Sequence, residues 1–277
     1  MERKGGNMKK SHAILGIVFV FITLLASTDI LAGEPAILVI GASYSEAKTP
    51  LSSDMVSPLG GISVAFGSYL SLGHALVKDP RLPGYVINEA QAGATSFSRQ
   101  GCNPVAGCIG EWLGYDKQLE KALARITIPI APPIRNARYV VITVANDCLH
   151  ADAFGIPQDQ STPCDSSQMN AYIDRLLAVG QQALDAGITP IFDVYPPYSS
   201  LDMPSFQAAA GLYWIASEAN YNALRDLHRT RLQGELPGAV VLDIWADFEH
   251  MGDGLHPSDK TTRKAAAMIA QYILDNP

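Results

Sequence analysis

The feature that most constrains this chain is a short apolar run, Ile37-Leu38-Val39-Ile40, that stops at Gly41-Ala42-Ser43. Three of its four residues are β-branched and no polar residue alternates with them. Such a run suits a strand covered on both faces, as in a parallel sheet. Gly41 and Ala42 let the backbone turn sharply at the strand's carboxyl end. Ser43 is then carried to the edge where open α/β sheets place their sites.

The pattern recurs. Apolar runs rich in Val, Ile or Tyr stand at 36–40, 85–87, 139–144, 190–195 and 239–245. Stretches with helical periodicity separate them, at 61–77, 111–125, 167–186, 206–232 and 258–274. The fourth reads as one long helix or as two broken at Gly211, and Ser258 is placed to cap the last. Strand–helix alternation predicts a parallel sheet with helices on both faces. No internal repeat, low-complexity tract or inter-domain linker interrupts it, so residues 33–277 read as a single domain.

The amino terminus reads differently. Lys9 and Lys10 precede an apolar run at 13–26, followed by Ser27, Thr28 and Asp29. A basic start, a run too short to span a bilayer comfortably and then small residues predict a secretory signal peptide over 1–32, cleaved near Ala32 or Gly33. An uncleaved membrane anchor is the alternative. No later stretch is long enough to cross a membrane. Export would make the product secreted or periplasmic and would let cysteines pair. The four cysteines allow three connectivities; the local pairs Cys102–Cys108 and Cys148–Cys164 are preferred over buried free thiols. Their spacing does not suggest zinc. A net charge of −7 without a basic cluster argues against a nucleic-acid partner. Nothing in the pattern specifies an oligomeric state.

The strand endings carry the chemistry. Ser43 follows the first, and Gly93 follows the second within Asn88-x-Ala90-x-x-Gly93-x-Thr95. Asn146 and Asp147 follow the third, and Asp253-Gly254-Leu255-His256-Pro257 follows the fifth. In a parallel sheet these endings share one edge. They supply a hydroxyl, a backbone amide, a side-chain amide and a carboxylate–imidazole pair, the parts that acyl transfer requires. V-I-G-A-S also looks like the opening of a dinucleotide-binding turn, as in short-chain dehydrogenases. Ser45 and Ala47 stand where that turn needs glycines, so the phosphate cradle is missing.

In block order the sequence resembles the SGNH (GDSL-type) serine hydrolases: serine, glycine, asparagine, then D-x-x-H near the carboxyl end. The resemblance implies a three-layer α/β/α fold with a flavodoxin-like five-stranded parallel sheet. It implies a serine esterase or lipase acting on a small-molecule or lipid ester, without metal or organic cofactor. Ser43 would be the nucleophile, His256 the base and Asp253 its partner. Ser43, Gly93 and Asn146 would form the oxyanion hole. A polysaccharide O-acetyl esterase and a non-catalytic binding relative are the alternatives. Two positions depart from the family pattern: Ala42 stands where an Asp is usual and Val144 where a glycine is usual. Asp247 and His250 repeat the D-x-x-H spacing, but the D-x-L-H-P context favours Asp253 and His256. Asp147 reads as structural, and His74, His150 and His228 as surface or core residues. A Cys148–Cys164 bridge would tether the loop that carries Asn146.

Overall fold

In a computed structural model the described residues are 36–46, 70–82, 86–103, 107–126, 136–151, 163–210, 213–214 and 217–277. The predicted leader, 1–32, lies outside them, as does the start of the helix expected over 61–77. Among the described residues no helix is long and apolar enough to cross a membrane.

Five strands form one parallel sheet. They are β1 (Ala36–Ile40), β2 (Val86–Asn88), β5 (Ala137–Ile142), β7 (Thr189–Asp193) and β9 (Val240–Leu242), in the order β2-β1-β5-β7-β9. Every residue of β1 is buried, as its unbroken apolar run requires. The sheet reverses its winding between β1 and β5, which pair in register from Ile37↔Tyr139 to Ile40↔Ile142. That switch point opens a crevice beyond the two strands' carboxyl ends, where Ser43 and Asn146 emerge.

Helices cover both faces. On one side, α1 (Leu72–Val77) packs on α6 (Asp259–Asp275). On the other lie α2 (Tyr115–Ile126), α3 (Ser166–Asp185) and α5 (Glu218–Glu235). Their starts are chemically marked. Asp165 and Gln168 form a reciprocal capping box on α3, Ser217 caps α5, and Ser258 caps α6 as expected. The apolar stretch after Gly187 is held against α3 by the Ile188 amide on the Ala183 carbonyl.

Two local features differ from expectation, and one alternative left open by the sequence is decided. Glu111 and Trp112 belong to an antiparallel hairpin of β3 (Arg99–Asn103) and β4 (Gly107–Trp112), and α2 begins only at Tyr115. The ladder explains the delay: Glu111 and Trp112 pair with Gln100 and Arg99, and the chain then passes at Gly114 so near the Ser98 amide nitrogen that a Cβ would stand 2.5 Å from it. The stretch expected over 206–232 is two helices, α4 (Met203–Ala210) and α5, separated by β8 (Tyr213–Trp214), which pairs with β6 (His150–Ala151). The fifth strand stops at Leu242, because Asp243 and Trp245 turn their polar groups onto neighbouring elements.

Candidate active site

The first strand ends in a turn closed by the Ser45 amide on the Ala42 carbonyl at 3.1 Å. Gly41 makes this turn possible. Its φ is +151°, and a Cβ would stand 1.9 Å from Thr143 Oγ1. The Gly41 amide is taken up by Gln118 Oε1 of α2 at 2.8 Å, while Ser45 Oγ bonds Thr143 Oγ1 at 2.9 Å. The turn is therefore fixed without an acidic residue at position 42.

Asn146 leaves β5 in a second turn. Its backbone amide and its Nδ2 both donate to the Ala94 carbonyl, at 3.4 and 3.0 Å. That contact draws the Gly93 loop and Asn146 together. Gly93 itself has φ +78°, a conformation that favours glycine. The Gln91 amide donates to the Gly41 carbonyl at 3.1 Å, joining the same loop to the serine turn. Three of the four sequence blocks are thus bonded into one unit.

A buried polar network holds the unit from behind. Asp147 accepts from the Ser96 amide at 2.7 Å, from the Ser96 hydroxyl, and from Arg175 Nη2 at 3.0 Å. Arg175 also donates through Nε to Ser96 Oγ at 2.6 Å and lies over the Phe97 ring. Asp147 is structural, as its place after Asn146 suggested. Cys148 and Cys164 form a disulfide that ties the Asn146 turn to the start of α3. Cys102 and Cys108 pair in register across the β3–β4 ladder; their side chains lie outside the described residues, as does that of His150.

Val144 precedes Asn146 by two residues. Its amide donates to Asp193 Oδ1 at 2.7 Å and its carbonyl accepts from Tyr115 Oη at 3.1 Å. Among the described residues no non-glycine has positive φ, so a side chain at 144 carries no backbone strain. Asp193 also accepts from Trp245 Nε1 at 2.8 Å. Burial pushes its carboxyl up to about 7, against the pull of the Trp245 and Val144 bonds. His228 is buried beside it, donating through Nε2 to the Asp193 carbonyl at 2.8 Å. Burial lowers its imidazole to about 4, against that bond. His228 is thus a neutral core residue.

The last block pairs its carboxylate and imidazole directly. His256 Nδ1 lies 2.5 Å from Asp253 Oδ2. The other carboxylate oxygen accepts the Leu255 and His256 amides, at 3.0 and 2.9 Å. Burial works to raise the Asp253 carboxyl, but the His256 ring and the two amides outweigh it and hold it below the ordinary value. Gly254 shapes the loop: at φ +88°, a Cβ would stand 2.0 Å from the Asp202 carbonyl oxygen. His250 Nδ1 accepts the Gly252 and Gly254 amides at 3.1 and 3.2 Å, so this ring props the loop. Asp247, its sequence partner, instead pairs with Lys264 at the surface.

Tyr44 joins the two ends of the site. Its hydroxyl donates to the Leu255 carbonyl at 2.8 Å, and its ring packs against Trp245, Phe248 and the edge of His256. Ser43, Asn146, Leu149, Tyr195, Tyr221 and Leu255 line one small cleft. Tyr195 and Tyr221 donate their hydroxyls to the Ala145 and Pro196 carbonyls, both at 2.9 Å, and so are engaged away from a ligand. Sequence reasoning missed Tyr44, Arg175, Asp193 and Trp245; only the adjacency of Tyr44 to Ser43 offered a signal. Among the described residues no cluster of His, Cys, Asp and Glu could hold a metal ion.

The arrangement has structural relatives. A carbohydrate acetylesterase from Sinorhizobium meliloti superposes with a TM-score of 0.54 at 16% identity, over 88% of this chain and 100% of that one. A carbohydrate acetylesterase family member from the same organism gives 0.51 at 13% identity, over 86% of this chain and 97% of that one. No family model and no curated protein matches the sequence. At these identities the likeness establishes the fold alone, a three-layer α/β/α architecture around a five-stranded parallel sheet.

Proposed function

We propose that this chain, built on the SGNH hydrolase fold, is a serine ester hydrolase that uses Ser43, His256 and Asp253. The observation that carries the reading is the Asp253–His256 pair. A carboxylate pinned by two backbone amides holds Nδ1 of a buried imidazole at 2.5 Å. Nδ1–H then donates to Asp253, which leaves Nε2 as the basic nitrogen. The Tyr44–Leu255 bond keeps that imidazole beside the turn that carries Ser43.

In the first half-reaction Ser43 Oγ attacks the ester carbonyl carbon and its proton passes to His256 Nε2. The carbonyl π pair moves onto oxygen, where the amides of Ser43 and Gly93 and the Asn146 side chain receive it. The tetrahedral adduct collapses to an acyl-serine as the imidazolium returns its proton to the departing alkoxide. Water, deprotonated by the same imidazole, then releases the acid and restores Ser43. Asp253 stays ionised and stabilises the imidazolium. Its lowered pKa suits that role.

The cleft supports a short acyl chain. Its lining is mostly apolar: Val144, Leu149 and Leu255 add aliphatic side chains beside the buried rings of Tyr195 and Tyr221. A sugar O-acetyl group falls within this class. The buried Cys148–Cys164 bridge supports an oxidising compartment, secreted or periplasmic. A fluorophosphonate probe tests the nucleophile: mass mapping should place the adduct on Ser43, and an adduct elsewhere or none on folded protein would refute the assignment.

A further inference from the structure

We propose that Trp112 is a positioning residue for the oxyanion site, acting through the Ala92–Gly93 peptide. The inference rests on the reading of the Gly93 amide as an oxyanion donor. Trp112 Nε1 donates to the Ala92 carbonyl oxygen at 2.8 Å. That oxygen belongs to the same planar unit as the Gly93 N–H, and in a trans peptide the two bonds point in opposite directions. Holding the oxygen therefore aims the N–H. A donor on the oxygen also withdraws electron density from the nitrogen and strengthens the bond its hydrogen makes.

The hold is built from more than one contact. Arg99 Nη2 donates to the next carbonyl, that of Gly93, at 2.6 Å, and its guanidinium lies 5.3 Å from the centre of the Trp112 ring. Arg99 and Trp112 are register partners at the open end of the β3–β4 hairpin. The Leu113 amide donates to Gln91 Oε1 at 2.8 Å, anchoring the strand's exit to the same loop. A hairpin inserted between β2 and α2 thus grips two successive carbonyls with two side chains that touch each other. Gly93, at φ +78°, has little local preference to hold its peptide planes. The grip supplies what the local conformation lacks.

Trp112→Phe removes the N–H and keeps an aromatic face for Arg99. Turnover should fall about tenfold, the order expected for one lost hydrogen bond, with KM changed less than about twofold. The affinity of a trifluoromethyl ketone, which forms a tetrahedral adduct at the serine, should fall by the same factor as kcat/KM. A merely structural role would lower thermal stability without coupling ketone affinity to turnover. Should the variant fail to fold, β-(3-benzothienyl)alanine at position 112 replaces only the N–H by sulfur, with the same expectation. Unchanged turnover and ketone affinity in either folded variant would overturn the inference, as would a loss confined to KM. A wild-type protein with neither hydrolysis nor phosphonate labelling would instead refute the underlying site reading, and the inference with it.

Discussion

Tyr44 Oη donates a 2.8 Å hydrogen bond to the Leu255 carbonyl, so the residue after Ser43 is fastened to the residue before His256. The two lie 211 positions apart in the chain. They close the site as a clasp closes a band. Tyr44→Phe leaves the Leu255 carbonyl without this donor in a buried setting. Stability should fall by about 1–2 kcal/mol, and turnover about tenfold through a less well placed imidazole. Urea unfolding and ester hydrolysis measured on the same preparation check both figures; a variant with wild-type turnover would show that the clasp does not position the base.

The two D-x-x-H motifs should separate cleanly. His256→Ala removes the base and should lose activity by at least about a thousandfold. His250→Ala removes a loop prop that accepts two amides, so a loss of about 1–2 kcal/mol in stability is expected with most activity kept. Initial rates for both variants decide between the assignments, and the reverse pattern would transfer the base to His250.

The Cys148–Cys164 bridge closes a 16-residue separation. A loop of this length constrains the unfolded chain by about 3 kcal/mol. Replacing both cysteines by alanine should cost that order of stability in urea. Peptide mapping without reduction should recover the two peptides linked; recovery as free thiols would contradict the bridge.

His228 makes stability pH-dependent with a definite sign. Its imidazole sits at about 4 in the folded protein against an ordinary 6.5, because burial disfavours the charged form. Between these values the unfolded chain binds more protons, so stability is full above pH 6.5 and is lost as pH falls toward 4. His228→Gln keeps an N–H for the Asp193 carbonyl and does not titrate. Relative to the wild type, the variant's melting temperature should therefore fall less, or rise more, as pH is lowered from 6.5 to 4, and a slope identical to that of the wild type would contradict this role for His228. Asp193 acts with the opposite sign: raised to about 7, it favours the folded state most at low pH and loses that contribution as pH rises through 7.

The parts of the fold that were legible in the sequence are those decided locally. β1 runs over Ala36–Ile40 as expected because its apolar run ends at a glycine required by the approach of Thr143. Asp253 and His256 were legible because three residues of one loop suffice to pair them. The hairpin was not. Trp112, Leu119 and Leu123 fall at helical spacing, yet the Trp112 indole is committed to a carbonyl 20 residues earlier. Tyr44 was illegible for the same reason at greater distance: a tyrosine after a serine carries no sign of its partner. Asp193, at a strand end, reads like any turn aspartate, and only the assembled core shows that it bridges Val144 and Trp245.

The measurement that bears most directly on the central claim is hydrolysis of p-nitrophenyl esters from acetate to palmitate by the wild type and by Ser43→Ala. The account predicts turnover of the short esters by the wild type, falling with chain length, and background rates for the folded variant. Equal rates in the two proteins would contradict a Ser43 nucleophile, and no turnover by folded wild type with any ester would contradict the hydrolase itself.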